Sequence, residues 1–402
     1  MANVAFWNLQ NLFDTTDDPI AADFDFVPDK GWITETKDAK IANLAAVLGS
    51  MFGGAGPDLL GVCEVETNQV LSELVAAVDP SGRLDIAQVS DGPDIRGIDC
   101  GLVYDTEVFT VVDFNEARDG EPPTSSHLVH NRYPTRDVLE VALRLNATGE
   151  ELLVYVNHWP SRSRGRWETE PLRVAAANHL GRLIDRRLKF TRQQLADMDD
   201  TSETAERIQA RWNRNVLVMG DFNDEPFDRS VREELGASSG FDRLEQSVRI
   251  RSGANLPNLD SYAKLRAPLF NCMWPETAEP DRGTYHYPPA VPTFNMLDQI
   301  IVSRGLYYGH TGLRMTRNTE IIDFDRAGGP FNPAIRPITQ ELATVNAKVF
   351  DSDLMAPGSK HRPKRFTFNI DDQGQVTHNG DTGGTSDHFP IVTSFDAVNT
   401  DQ

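Results

Sequence analysis

A chain of 402 residues is long enough for one large domain or two to three ordinary ones, and its 39% hydrophobic and 25% charged residues exclude global disorder. A net charge of −21 excludes long-range attraction to polyanions, so extended duplex nucleic acid is a poor general partner unless positive charge is gathered locally. The three cysteines, Cys63, Cys100 and Cys272, form neither a disulfide framework nor a zinc spacing.

The opening "MANVAFWNLQNLFD" has no basic n-region and no long apolar h-region, and no apolar run of roughly 18 residues follows it. No signal peptide or membrane span is expected. A cytoplasmic protein is the default, although a mature secreted form without its leader would read the same. In chain order, the first apolar run, Val4–Trp7, ends on Asn8. A helix is predicted over Lys37–Met51, with Ile41, Leu44, Val47 and Leu48 on one stripe. The next strand, Leu59–Cys63, reaches Glu64. Strands follow at Gly101–Tyr104, Val138–Leu145 and Leu152–Val156, the last reaching Asn157 and His158. Helical periodicity returns over Glu170–Phe190, and Gln193–Trp212 reads as a polar helical insertion. Val216–Met219 then runs into Asp221 and Asn223. Two stretches, about 251–295 and 323–365, lack periodicity and read as long loops. The last two strands, Gln299–Ser303 and Phe389–Phe395, are each preceded by polar residues: Asp298 in one case, Asp387 and His388 in the other. No linker divides the chain, so a single α/β domain over residues 1–402 is expected.

The polar residues fall in a pattern. Asn8, Glu64, His158, Asp221 and Asn223 follow the C-terminal ends of apolar runs, whereas Asp298, Asp387 and His388 precede N-terminal ends. If the last two strands run antiparallel to the others, all of these groups meet on one rim of a mixed sheet. A rim this acidic must shift its own pKa values or take up a cation, and hard oxygen ligands suit Mg²⁺, with Mn²⁺ or Ca²⁺ as alternatives. The plainer reading of "GDFNDEP" is an Asx-rich turn. His127, His130, His179, His286, His310, His361 and His378 read as structural histidines.

Seven segments, "FWNLQNLFD", "GVCEVE", "GLVYD", "NHWPSR", "MGDFNDEP", "LDQIIVS" and "TSDHFPIV", occur in the order seen in the endonuclease/exonuclease/phosphatase superfamily, and the chain resembles it from residue 4 to 395. The resemblance implies a four-layer α/β sandwich, two mixed β-sheets flanked by helices, and metal-dependent phosphoester hydrolysis. It implies Glu64 as the principal metal carboxylate, with Asn8 and Asp387 beside it. Asp221 and Asn223 would position water and phosphate. Asp298 and His388 would form a carboxylate–imidazole dyad, and His158 would face a phosphate oxygen. Where some members carry an acid two residues after the first Asn, this chain has Gln10, which weakens the case for a second metal; Glu66 reads as a surface glutamate. Arg136 and Arg162 resemble phosphate clamps, or surface ion pairs in an acidic chain. The expected function is a nuclease-like phosphodiesterase. A lipid or inositol phosphate hydrolase would want an apolar loop, for which Trp274 and "TYHYPP" are candidates. A non-catalytic binding protein would not need this residue set. Two basic clusters, "SRSRGR" at 161–166 and "KHRPKR" at 360–365, are too small for a duplex-binding face, so the expected substrate is a small or single-stranded phosphodiester. A monomer is expected, and no protein partner is inferred.

Overall fold

The computed structural model describes residues 1–17, 25–90, 92–112, 124–129, 136–198, 202–240, 244, 266–277, 282–287, 293–322, 340–345, 347–350 and 362–398. Much of the two aperiodic stretches, together with His130, Lys360 and His361, lies outside these residues. The first sheet contains β1 (Ala2–Leu12), β2 (Leu59–Val65), β3 (Leu84–Val89) and β4 (Asp99–Asp105). Its order is Leu313–Met315, Ile391–Ala397, β1, β2, β4, β3. Only β1 and β2 are parallel neighbours along that order. The second sheet holds β5 (Phe109–Val111), β6 (Thr124–Leu128), β7 (Asp137–Leu145), β8 (Glu151–His158) and β9 (Asn215–Asp221). Its order is Ala237–Ser238, Leu269–Asn271, Asp298–Ser303, β9, β8, β7, β5, with β6 also on β7. There β8 runs parallel to β9, and Asp298–Ser303 runs antiparallel to it. The two late strands therefore run against the early ones, as the rim argument required.

Helices cover both outer faces. On the first sheet, Leu44, Val47 and Leu48 of α1 (Thr34–Ser50) and Val70, Leu71 and Leu74 of α2 (Asn68–Val78) join the main core. On the second, α3 (Arg166–Leu188) packs Ala176, Leu180 and Ile184 against Leu153, Tyr155, Val216 and Val218. Between the sheets, Leu152, Val154, Val156, Leu217, Met219, Ile300 and Val302 pack with Phe6 and Leu59. Burying each such side chain fully contributes roughly 1.5–3 kcal/mol. The sheets approach closely: a Cβ on Gly61 would stand 2.8 Å from the Met219 sulfur. The result is helices, sheet, sheet, helices.

Alternate residues of β9 enter different cores, Leu217 and Met219 between the sheets, Val216 and Val218 under α3. Burial on both faces explains why the sequence shows an unbroken apolar run rather than an alternating one. The elements are longer than the apolar runs suggested, because polar residues continue them. The first strand extends from Val4–Trp7 to Ala2–Leu12, and β8 runs through His158. The first helix starts at Thr34, not Lys37, and α3 spans Arg166–Leu188 rather than Glu170–Phe190. The polar insertion is two helices, Arg192–Ala196 and Ser202–Trp212. The α2 helix lay beyond the periodicities read from sequence. No helix among the described residues is long and apolar enough to cross a membrane.

Candidate active site

Strand alternation aims the site. On β9, the parity of Leu217 and Met219 continues to Asp221. On β8, the parity of Leu152, Val154 and Val156 continues to His158. On the third strand, Ile300 and Val302 share parity with Asp298. His158 and Asp298 are moreover the register partners of Asp221 on its two neighbours. Three polar side chains thus leave the end of the second sheet toward the first. Gly220 is required beside them: a Cβ there would stand 2.3 Å from the Asn157 carbonyl oxygen.

The first sheet meets them with Asn8 and Glu64. Asn8 shares the inward parity of Phe6, and its Nδ2 donates to Asp221 Oδ2 at 3.1 Å. Regular alternation would turn Glu64 outward, opposite to Gly61 and Cys63. Instead Glu64 takes φ 60°, and the β2–β4 register shifts between Cys63 and Val65. This bulge re-aims the carboxylate, whose Oε1 lies 3.6 Å from His158 Nε2 across the gap. Gln10, Asn11 and Asn223 also have positive φ, of 52°, 57° and 49°. Each strained residue is tied to the site: the Gln10 N–H donates to Asn8 Oδ1, the Asn11 N–H to Glu64 Oε2, and the Asn223 N–H to Asp221 Oδ1.

The turn expected at "GDFN" is present, and it leaves one Asp221 oxygen turned to the gap. Asp221 Oδ1 closes the Asx turn with Asn223 at 2.9 Å. Its Oδ2 faces Asn8, His158 Nε2 at 3.7 Å and His388 Nε2 at 3.9 Å. Asn223 Nδ2 donates to the Trp159 carbonyl at 3.0 Å. The following acids serve as anchors: Asp224 lies 2.8 Å from Arg173 Nε, and Glu225 accepts from the Met296 N–H and from Asn295.

His388 Nδ1 and Asp298 Oδ2 are 2.7 Å apart. Both residues are buried, and Thr284 Oγ1 accepts from the Asp298 N–H. The His388 backbone is pinned by Trp7 Nε1 on its carbonyl and by Ser386 Oγ on its N–H. Tyr285 packs on the ring at 4.9 Å. Burial disfavours the protonated imidazole, but the charge and hydrogen bond of Asp298, with Asp221 and Asp387, outweigh it and hold His388 up at about 10. Burial also raises Asp221, to about 6, with His388 opposing the rise and Asp298 adding to it. His158 moves the other way: burial first, then the charges of Arg136, Arg96 and His388, hold it well below 6.5. One imidazole is thus kept charged and the other neutral.

Among the described residues, Asp221, Asp298 and His388 place potential ligand atoms within 4.8 Å of one another. A protonated His388 has no lone pair for a metal, so this trio is better read as a dyad facing a carboxylate. Glu64 and Asn8 offer hard oxygens instead: Glu64 Oε1 turns to the gap, and Asn8 Oδ1 retains a second lone pair beside its one backbone donor. Asp387 sits further out, its side chain 28% exposed and 3.9 Å from Arg365. This donor set fits a divalent cation. Gln10 does not join it: its amide donates to the Phe366 carbonyl and accepts from the Phe366 N–H. Glu66 is half-buried and accepts from the Asp14 N–H, rather than lying free on the surface.

The arginines have protein partners. Arg162 donates to the Asn223 carbonyl and pairs with Asp224 at 3.2 Å and Asp228 at 2.9 Å. Arg136 donates to the Trp159 carbonyl and lies 3.3 Å from Asp94. Two residues escaped the sequence reading. Lys40, fully buried, donates to the Gln10 carbonyl and lies over Trp32 and Phe366 at 6.0 and 5.6 Å. Burial lowers it to about 7, opposed by Glu64 and Asp387. Arg96 stands near enough to influence both His158 and Glu64. A lysine facing the same way as Ile41 and Leu44 was a signal for Lys40; nothing marked Arg96.

A search of curated proteins finds no match. Among solved structures, the chain is similar to the Bacteroides thetaiotaomicron VPI-5482 mannosyl-6-phosphatase Bt3783, at 13% identity and TM-score 0.49, covering 98% of this chain and 100% of that one. It is similar to the human Nocturnin catalytic domain at 15% identity and TM-score 0.45, covering 99% and 94%. It is also similar to D. rerio TDP2 in complex with single-strand DNA product, at 11% identity and TM-score 0.44, covering 98% and 99%. The profile of the endonuclease/exonuclease/phosphatase family matches residues 3–326, well over half of the chain. The chain belongs to the endonuclease/exonuclease/phosphatase family.

Proposed function

We propose that the protein is a divalent-metal-dependent phosphodiesterase acting on compact phosphodiesters. The observation that carries this reading is the buried Asp298–His388 pair facing Asp221, with His158 on the other flank of Asp221 and Glu64 across the gap from it. Glu64, Asn8 and Asp387 would hold Mg²⁺, which supplies positive charge to a phosphoryl oxygen. Asp221 accepts the proton of the attacking water. The ester P–O bond opposite the water breaks, and the leaving alkoxide departs to solvent as the alcohol, the proton balance closing through Asp221 and bulk water. His388, kept protonated by Asp298, donates to a phosphoryl oxygen and stabilises developing negative charge. Neutral His158 hydrogen-bonds another phosphate oxygen, and the remaining N–H of the Asn223 amide orients the ester. Arg162 and Arg136 act on phosphate from within their ion pairs.

The lipid-hydrolase alternative is the less favoured reading, because Tyr285 of its candidate loop packs on His388 and Trp274 packs on Phe227 at 6.4 Å. We also propose that residues 1–402 act as one domain, since Ile391–Ala397 pairs with β1 inside the first sheet and His388 lies three residues before that strand. The test is a panel of phosphodiesters and phosphomonoesters assayed with EDTA, Mg²⁺, Mn²⁺ and Ca²⁺. Hydrolysis of a small diester is expected, lost in EDTA and restored by Mg²⁺ or Mn²⁺. Undiminished activity after exhaustive chelation would overturn the metal-dependent reading.

A further inference from the structure

Two residues beyond His158, Pro160 enters the wall of a cavity of about 740 Å³. That volume falls within the range of small-molecule sites. Arg96, Arg136 and Arg164 line it, with Ile95, Pro160 and Leu172 supplying apolar wall. Among the described residues one carboxylate, that of Asp94, lines it as well, pairing with Arg96 at 3.1 Å and with Arg136 at 3.3 Å. Arg164 is exposed and has no ion-pair partner among the described residues. Three guanidiniums against one carboxylate make a positive cavity on a molecule whose net charge is −21. Ile95, at 74% exposure, is a large apolar side chain left in water at its edge. The cavity also abuts the chemistry. Arg136 and Asn223 both donate to the Trp159 carbonyl, next to His158, and the charges of Arg136 and Arg96 are felt by His158.

Guanidinium forks complement the oxygens of a phosphate, and apolar walls complement an organic scaffold. We propose that this cavity binds a second phosphate, carried on a partly apolar scaffold, while the ester to be cleaved lies at Asp221 and His388. The substrate class is then a small organic phosphoester bearing two separated phosphate groups. This inference rests on the phosphoesterase reading of the neighbouring site.

The test is calorimetric binding in Mg²⁺ with His388→Ala as the parent, or Asp298→Asn if that variant does not fold, so that nothing turns over. The probes are thymidine 3′-phosphate 5′-(p-nitrophenyl phosphate), a bisphosphate with one diester, thymidine 5′-(p-nitrophenyl phosphate), the matching monophosphate diester, and thymidine. The bisphosphate is expected to bind at least about tenfold more tightly than the monophosphate, the gain of one charge-assisted contact. Adding Arg164→Ala should remove about tenfold of that preference, and Arg164→Lys should restore part of it. Equal affinity for the two nucleotides, or a preference indifferent to Arg164→Ala, would overturn the proposal. A retained preference in a protein that hydrolyses no phosphoester would support the cavity and overturn the hydrolase reading. Hydrolysis without the preference would overturn the cavity alone.

Discussion

Asp221 divides its two oxygens between a turn and the gap between the sheets: Oδ1 closes the turn with Asn223, and Oδ2 faces both histidines. Asp221→Asn preserves shape and removes the charge. If the carboxylate serves as the base, activity should be erased while the melting temperature barely moves. Measuring both quantities on one preparation decides the matter; an active but unstable variant would leave Asp221 as a turn residue. His388→Ala should cost roughly 10²–10⁴-fold in kcat, the usual range for a general acid–base group. A loss below about threefold would remove it from the mechanism. The strain around Glu64 has a similar logic. Gln10, Asn11, Glu64 and Asn223, all in the left-handed region, each cost of order 1–3 kcal/mol. Gln10, Asn11 and Asn223 hold Asn8, Glu64 and Asp221 through backbone N–H groups that a relaxed chain would aim elsewhere.

At the level of elements, a buried polar cluster joins β7 and β8 to α3. Glu140 accepts from Arg187 Nε at 2.6 Å and from the Tyr155 hydroxyl at 3.2 Å, and lies 2.5 Å from His127 Nε2. Burial raises the Glu140 pKa, but the His127 hydrogen bond and the Arg187 charge outweigh it, leaving the carboxyl below its ordinary 4.5. A depressed folded pKa contributes stability that is present above the unfolded value and lost as pH falls through the folded one. Glu140→Gln leaves Arg187 without its countercharge and should destabilise by about 3–5 kcal/mol at neutral pH. The gap between wild type and variant should narrow as pH falls below about 4.5. Urea unfolding of both proteins from pH 3 to 7 measures it; a gap independent of pH would exclude a charged Glu140.

For the whole molecule, the net charge of −21 and the small basic cavity favour a compact substrate. In the "SRSRGR" cluster, Arg162 and Arg166 are engaged by Asp228, which leaves Arg164 facing solvent. In the second cluster, Arg365 lies near Asp387. Neutralisation of about one to three phosphates predicts a shallow salt slope, whereas a protein gripping many duplex phosphates loses orders of magnitude between roughly 50 and 200 mM salt. Hydrolysis of a small diester, plasmid and duplex oligonucleotide across a salt series compares the two. Efficient duplex cutting with a steep slope, and no cutting of the small ester, would make the basic clusters a DNA-binding surface.

The strand ends and the order of their polar residues were legible in the sequence, because strands buried on both faces appear as apolar runs and polar residues stop them sharply. Asn8, His158, Asp221, Asp298 and His388 could be picked from that punctuation, and the antiparallel course of the last two strands followed from requiring those residues to meet. The aim of Glu64 could not be read this way: strict alternation sends it outward, and only a bulge against β4, in a sheet assembled from distant segments, turns it inward. Lys40 lies on the buried stripe of α1 beside Ile41, yet it pins carbonyls of β1, a contact set by how α1 crosses the sheet end. Arg96 belongs to no periodic element, and its place beside His158 depends on where β3 and β4 lie relative to β8. Patterns of period 2 and 3.6 report which side of an element is buried. They carry no information on which elements face one another, and the cavity beyond Pro160 is made by that choice.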